Sequence, residues 1–146
     1  MYNAVILVVD DEQTYLDSIT DILKEKKFKI LQALNGKMGI VVTKKFKPDI
    51  IISDWEMPEM NGYQVLEITS HDLKLRDIPI IITSALEEVD SVVKCIEMGA
   101  EDYLTKPVNP VLLRARIGAS LEKKRLRDQQ RELIRKFATS EVATDL

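Results

Sequence analysis

The sequence predicts an α/β domain built on an open, parallel, five-stranded sheet with helices on both faces. Three observations predict it. Apolar runs of strand length alternate five times with segments of helical period, the first, third and fourth runs are apolar at nearly every position, and turn-forming residues mark the boundaries. A strand apolar on both sides belongs in a sheet covered on both faces, which right-handed crossover helices provide.

The first strand is read from AVILVV (4–9), the second from FKILQA (28–33), the third from DIIIS (49–53), the fourth from IPIIIT (78–83) and the fifth from DYLT (102–105). Between them, Leu16/Ile19/Leu23, Met38/Val41/Val42/Lys45, Gly62/Val65/Leu66 and Val89/Val92/Val93/Ile96 recur at the spacing of buried helix faces. Asn35-Gly36 turns the chain into the second helix and Gly99 closes the fourth. Asn109-Pro110 supplies an N-cap and a proline at the first helical position of the fifth.

Ligands of such sheets bind beyond the C-terminal ends of the strands. The residues there are Asp10 and Asp11 after the first strand, Asp54 after the third, Ser84 after the fourth and Lys106 after the fifth, so all five share one edge. Adjacent carboxylates about 4 Å apart repel by roughly 4 kcal/mol at an effective dielectric near 20, so this cluster calls for a cation. Three carboxylates form a hard-oxygen site suited to Mg²⁺, which keeps several waters and leaves room for a phosphate oxygen. Lys106 adds a fixed positive charge and Ser84 a hydroxyl donor, both able to stabilise charge on a phosphoryl group in transfer. Asp54 is then the natural nucleophile, giving an aspartyl-phosphate. Taken singly, a strand-end Asp is an N-cap, a Lys is solvated and a Ser forms a turn; five in order at successive strand ends make the joint structural explanation poor.

With VVDDE (8–12), SDWEMPEMNG (53–62), ITSA (82–85) and DYLTKP (102–107), residues 1–120 resemble the receiver domain of two-component response regulators. The resemblance implies a flavodoxin-like (βα)5 three-layer sandwich of strand order 2-1-3-4-5. It makes Asp54 the phosphoacceptor, Asp11 a direct Mg²⁺ ligand, Asp10 a ligand through water, and the backbone carbonyl of Glu56 a further ligand. Ser84 stands at the family's Thr or Ser position, Tyr103 at the switch aromatic, and Lys106-Pro107 at a Lys-Pro whose peptide is typically cis. Phosphorylation would draw Ser84 toward the phosphoryl group and let Tyr103 rotate inward, reshaping the face of the fourth helix, fifth strand and fifth helix. The partners implied are a sensor histidine kinase or phosphotransfer protein and, through that face and the C-terminal helix, a second copy of the chain. Glu56 and Leu86 are expected to tune phosphoryl lifetime, and Trp55 to report on the site by fluorescence. His71 reads as a surface residue and Cys95 as a small buried hydrophobe.

Beyond residue 120, LEKKRLRDQQRELIRKF continues with strong helix formers and neither Gly nor Pro, which predicts one long helix through about residue 136. Leu112, Ala119, Leu126 and Leu133 recur every seven residues, but the companion positions Arg116, Lys123, Gln130 and Phe137 are mostly polar, which makes the seam a weak one. Residues 121–146 thus read as a helical, coiled-coil-like extension toward an output domain. FATSEVATDL resembles the connector to a class III adenylate or guanylate cyclase domain.

Composition bounds the alternatives. The 146 residues, 45% hydrophobic and 31% charged, suit one globular domain with length to spare. Residues 1–120 carry 14 Lys+Arg against 19 Asp+Glu and residues 121–146 carry 7 against 5, which is no dense basic stripe for nucleic acid. One cysteine excludes an internal disulfide, and no apolar run is long enough for a signal or membrane span, so a cytoplasmic protein is expected. A stand-alone receiver and the receiver of a DNA-binding regulator remain the rival readings; the 26 residues after 120 cannot hold a helix-turn-helix domain, so in the second reading that output domain lies outside this sequence. An aspartyl-phosphate hydrolase is disfavoured because Asp54-Trp55-Glu56 lacks a second aspartate two residues on.

Overall fold

The computed structural model describes residues 4–24, 27–85 and 89–138. Five parallel strands, β1 (Val5–Val9), β2 (Lys29–Ala33), β3 (Ile50–Asp54), β4 (Ile80–Ser84) and β5 (Asp102–Thr105), line up in the order β2-β1-β3-β4-β5. The helices are α1 (Gln13–Leu23), α2 (Gly36–Phe46), α3 (Gly62–Ser70), α4 (Val89–Glu97) and α5 (Pro110–Phe137). The flavodoxin-like order and the long last helix are those the sequence predicts. Strands β3 and β4 each run one residue further, so Asp54 and Ser84 are the last residues of their strands rather than the first beyond them.

Side-chain alternation along the strands divides the core in two. Ile6, Val8, Ile50, Ile52, Ile81 and Leu104 meet α1 and α5 on one face, while Leu7, Val9, Ile51, Ile80 and Ile82 meet α2, α3 and α4 on the other. Each fully buried Ile or Leu contributes about 1.5–3 kcal/mol relative to exposure, and this two-sided burial holds the strand ends in register. Asp54 pairs with Thr83, and Ser84 with Thr105, so the polar ends stand side by side.

Asparagine caps fix three helix starts. Asn35 accepts from the Met38 amide and Asn109 from that of Leu112, with Pro110 opening α5; Asn61 and Gln64 form a reciprocal capping box on α3. Gly99, at φ +111, follows α4 in a conformation that favours glycine.

Two helix faces differ from expectation. On α2, Met38 and Val41 are exposed, Val42 is half-buried, and the buried positions are Gly36, Gly39, Ile40 and Thr43. The helix lies so close to the sheet that a Cβ on Gly39 would come 3.0 Å from Val9 Cγ2. On α4, Val93 and Ile96 are exposed and Cys95 is buried in the core; the side chains of Val89 and Val92 lie outside the described residues.

α5 buries Leu113, Ile117 and Leu121 and then runs on as one helix to Phe137. Past the sheet it touches the loops that lead into β3 and β4. Lys124 Nζ stands 3.6 Å from Asp49 Oδ1, Arg127 Nη2 donates to the Asp77 carbonyl at 3.2 Å, and Arg131 Nη1 donates to Asp77 Oδ2 at 2.8 Å. Leu112, Ala119, Leu126 and Leu133, the heptad positions, are all exposed. Among the described residues no helix is long and apolar enough to cross a membrane.

Candidate functional site

The site grows from the C-terminal ends of β1 and β3. Asp10 extends the ladder, its amide donating to the Ala33 carbonyl at 3.1 Å, and the Glu12 amide donates to Asp10 Oδ1 at 2.9 Å. The turn this closes buries Asp10 and leaves Asp11 exposed. Asp54 is held by its neighbours: the Trp55 amide donates to the Thr83 carbonyl at 2.8 Å, and the Gly62 amide to the Trp55 carbonyl at 2.9 Å. A Cβ at Gly62 would lie 2.6 Å from the Asp54 carbonyl oxygen, so only glycine lets the start of α3 approach this closely.

Each of Asp10, Asp11 and Asp54 offers a carboxylate oxygen within 4.8 Å of the other two. Two are buried and one faces solvent, which provides both a fixed charge and an open side for waters. That donor set fits Mg²⁺.

Lys106 follows β5 through a cis peptide to Pro107. Its Nζ donates to Asp10 Oδ2 at 2.9 Å and stands 3.0 Å from Asp54 Oδ1. Burial, then the charge of Asp10, pushes the Asp54 carboxyl up to about 6 against the pull of Lys106. Burial acts to lower the Lys106 pKa, but the hydrogen bonds and charges of Asp10 and Asp54 outweigh it and hold the ammonium above the ordinary lysine value.

Ser84 is buried, and its carbonyl accepts from the Lys106 amide at 2.8 Å while its Oγ has no hydrogen-bond partner. A buried hydroxyl left unsatisfied marks a place where an acceptor is missing. Glu56 is exposed and lines the pocket together with Asp11, Asp54 and Lys106. Tyr103 lies on β5 at 37% exposure, facing outward. Leu86 is outside the described residues. Trp55 is half-buried and meets Tyr63 edge-on at 6.0 Å. His71 is exposed at the end of α3, and Cys95 is buried, with burial pushing its thiol up to about 11.

One pocket residue carried no signal in the sequence. Tyr15, half-buried on α1, places its ring under Lys106, with Nζ 4.1 Å from the ring centroid. It belongs to no motif, and only its position one helical turn after Asp11 could have suggested it.

Comparison with known proteins agrees with this geometry. The response regulator receiver domain model matches residues 6–118. Protein PilH of Pseudomonas aeruginosa is 36% identical over 116 residues, covering 80% of this chain and 96% of PilH. The phosphate regulon transcriptional regulatory protein PhoB of the same organism is 36% identical over 123 residues, covering 84% of this chain and 54% of PhoB, so the chain spans about half of that relative's length. Among solved structures, the signal receiver domain of a signal transduction histidine kinase from Syntrophus aciditrophicus superposes with a TM-score of 0.76 at 33% identity, covering 82% of this chain and 91% of that one.

The chain belongs to the response regulator receiver domain family. Receiver domains are regulatory phosphoacceptors rather than enzymes in the usual sense, and they interact with histidine kinases or phosphotransfer proteins.

Proposed function

We propose that this chain takes a phosphoryl group onto Asp54 from a phosphohistidine of a sensor kinase or phosphotransfer protein, and that Asp10, Asp11, Asp54 and the Glu56 carbonyl hold the Mg²⁺ the reaction needs. The carrying observation is the three-carboxylate cluster, its ligand atoms within 4.8 Å of one another, with Lys106 bridging two of its members. An Asp54 carboxylate oxygen forms the new bond to phosphorus as the N–P bond breaks. The electron pair of that bond returns to the imidazole nitrogen. Bound Mg²⁺ would offset charge on the phosphoryl oxygens. Lys106 supplies a fixed ammonium to the same oxygens, and the unpartnered Ser84 hydroxyl donates to one of them.

The switch follows from that last bond. Ser84 turns toward the new acceptor, and the outward Tyr103 moves into the space released, so α4, β5 and α5 present a changed surface. Residues 1–120 act as the receiver and 121–146 as the helical extension. The occupant of the exposed Leu112, Ala119, Leu126 and Leu133 stripe is a second copy of the chain in parallel register, because one heptad seam on a helix continuous with the switch face is self-complementary under two-fold symmetry. We place the protein in the cytoplasm, without direct nucleic-acid contact. A nucleotide cyclase output rests on FATSEVATDL alone, of which residues 139–146 lie outside the described residues.

The test is intact mass after incubation with acetyl phosphate, with and without Mg²⁺, on this chain and on Asp54→Ala. One phosphoryl group added only with Mg²⁺, and only when Asp54 is present, is the expected result. No adduct with metal binding intact would overturn the reading and leave a binding module.

A further inference from the structure

Lys106 has a third neighbour besides its two carboxylates. The Tyr15 ring lies 4.1 Å from Nζ, measured to the centroid, on the pocket wall that also carries Asp11, Asp54 and Pro107. The lysine side chain is 13% exposed, so the ring faces an ammonium that keeps little water. An ammonium over an aromatic face is attracted by the ring quadrupole, and more strongly where water is excluded. Asp10 and Asp54 hold the ammonium at the sheet edge and Tyr15 faces it from α1, so three groups set its direction.

The three restraints are not equal once Asp54 reacts. When its carboxylate becomes an acyl phosphate, Asp54 ceases to be the anion seen here and Lys106 must move to a phosphoryl oxygen. Asp10 pulls it back toward the base of the pocket. The Tyr15 ring does not change charge or position in the reaction, and it lies on α1, which packs firmly into the core through Leu16 and Ile19. It is therefore a constant, uncharged member of the lysine's surroundings.

We propose that Tyr15 is a positioning residue for phosphoryl transfer: its ring fixes the direction of the Lys106 ammonium across the pocket. This deepens the phosphoacceptor reading of Asp54 and rests on it. The working part is the ring face, not the hydroxyl, so Tyr15→Phe retains the effect and Tyr15→Leu, of comparable bulk but without a π-face, loses it.

The experiment measures the rate of phosphorylation by acetyl phosphate in Mg²⁺ for the native chain, Tyr15→Phe, Tyr15→Leu, Lys106→Met and the Tyr15→Leu/Lys106→Met pair. Tyr15→Leu is expected to slow the reaction about tenfold, with Phe within about twofold of native, and to add nothing once Lys106 is gone. In parallel, NMR of the Lys106 ammonium protons reads the contact itself. The ring should displace them upfield in the native chain and Tyr15→Phe but not in Tyr15→Leu. A native rate in Tyr15→Leu, or an equal further loss in the Lys106→Met background, overturns the proposal. A ring-shifted ammonium in a native chain that takes no phosphoryl group would sink the reading of Asp54, and this proposal with it, whereas normal phosphorylation without the shift would sink this proposal alone.

Discussion

Lys106 Nζ stands 3.0 Å from Asp54 Oδ1, with Asp54 buried and the lysine side chain 13% exposed. The same ammonium bonds Asp10, so without metal one cation compensates two carboxylates. Removing one member of a buried ion pair costs about 3–5 kcal/mol, because it strands the opposite charge. Lys106→Met should therefore lower the stability of the metal-free protein by about 3 kcal/mol at pH 8. The loss should shrink near pH 5, where Asp54 can take a proton. Urea midpoints at the two pH values check this, and Mg²⁺ should recover part of the loss at pH 8. A small, pH-independent effect would mean that the carboxylates are compensated elsewhere.

The Asp54 carboxyl gives a second pH signature. Its ordinary value is 3.8 and its folded value is about 6, raised first by burial and then by Asp10. Between these values the folded chain holds a proton that the unfolded chain has lost. Stability from this group therefore rises as pH falls from about 6 to 4, and the ionised form at neutral pH is the destabilised one. Asp54→Asn should remove that slope and raise metal-free stability at pH 7 by about 1–3 kcal/mol, an upper range set by the 1.36 kcal/mol equivalent of each pKa unit. Parallel urea titrations of both chains from pH 4 to 8 would show the difference; superimposable pH profiles would refute it.

The strand ends were legible because chemistry and period coincide there: Asp10, Asp54, Ser84 and Lys106 each follow or finish an apolar run, and parallel topology puts such ends on one edge. The face of α2 was not. A hydrophobic stripe normally marks the buried side, but here Gly36 and Gly39 are the contact positions. Glycine carries almost no hydrophobic signal, while the exposed Met38 and Val41 carry a strong one. Tyr15 and the α5 contacts with Asp49 and Asp77 were hidden for another reason. Each joins residues distant in sequence, and no local pattern encodes such a pair.

Glycine offers a sharp test of the site's backbone. At Gly62 a Cβ would meet the Asp54 carbonyl oxygen at 2.6 Å, while at Gly118, exposed on α5, it would meet nothing within 4 Å. Gly62→Ala should destabilise by about 1–3 kcal/mol, as forced insertions into packed sites do. It should also slow phosphorylation, because the strain falls on the residue carrying Asp54. Gly118→Ala should instead stabilise by about 0.5–1 kcal/mol through helix propensity, with no kinetic effect. Thermal melts and acetyl phosphate kinetics on the two variants would separate the cases.

The exposed heptad stripe makes a prediction about assembly. Leu126 and Leu133 are 51% and 64% exposed on the extension of α5, so charging them removes little from the fold of one chain. Leu126→Glu/Leu133→Glu should leave the urea midpoint within about 0.5 kcal/mol at concentrations where the chain is monomeric. Sedimentation of the phosphorylated native chain should reveal a dimer that the double variant lacks. A dimer unaffected by both charges would place the interface elsewhere.

The last turns of α5 are held to the body through Asp77, whose carboxylate accepts from Arg131 and whose carbonyl accepts from Arg127. The hydrogen bond to Arg131 holds the Asp77 carboxyl below the ordinary carboxylate value. A depressed carboxylate stabilises above its unfolded pKa and loses that contribution as pH falls through the folded value, so the contact is complete at neutral pH and fails only in acid. Because this pair is solvent-accessible, its worth to global stability is small, and Asp77→Ala should change the urea midpoint by no more than about 0.5 kcal/mol. Its effect on the extension should be larger in proportion. Among the described residues beyond Leu121 none is buried, so the helix there depends on its own propensity and on these anchors. Amide exchange over residues 128–137 at neutral pH should therefore quicken in Asp77→Ala while exchange in β1 and β3 stays unchanged. Faster exchange in the strands as well would assign Asp77 a role in the fold; unchanged exchange in the extension would mean that α5 holds its length unaided.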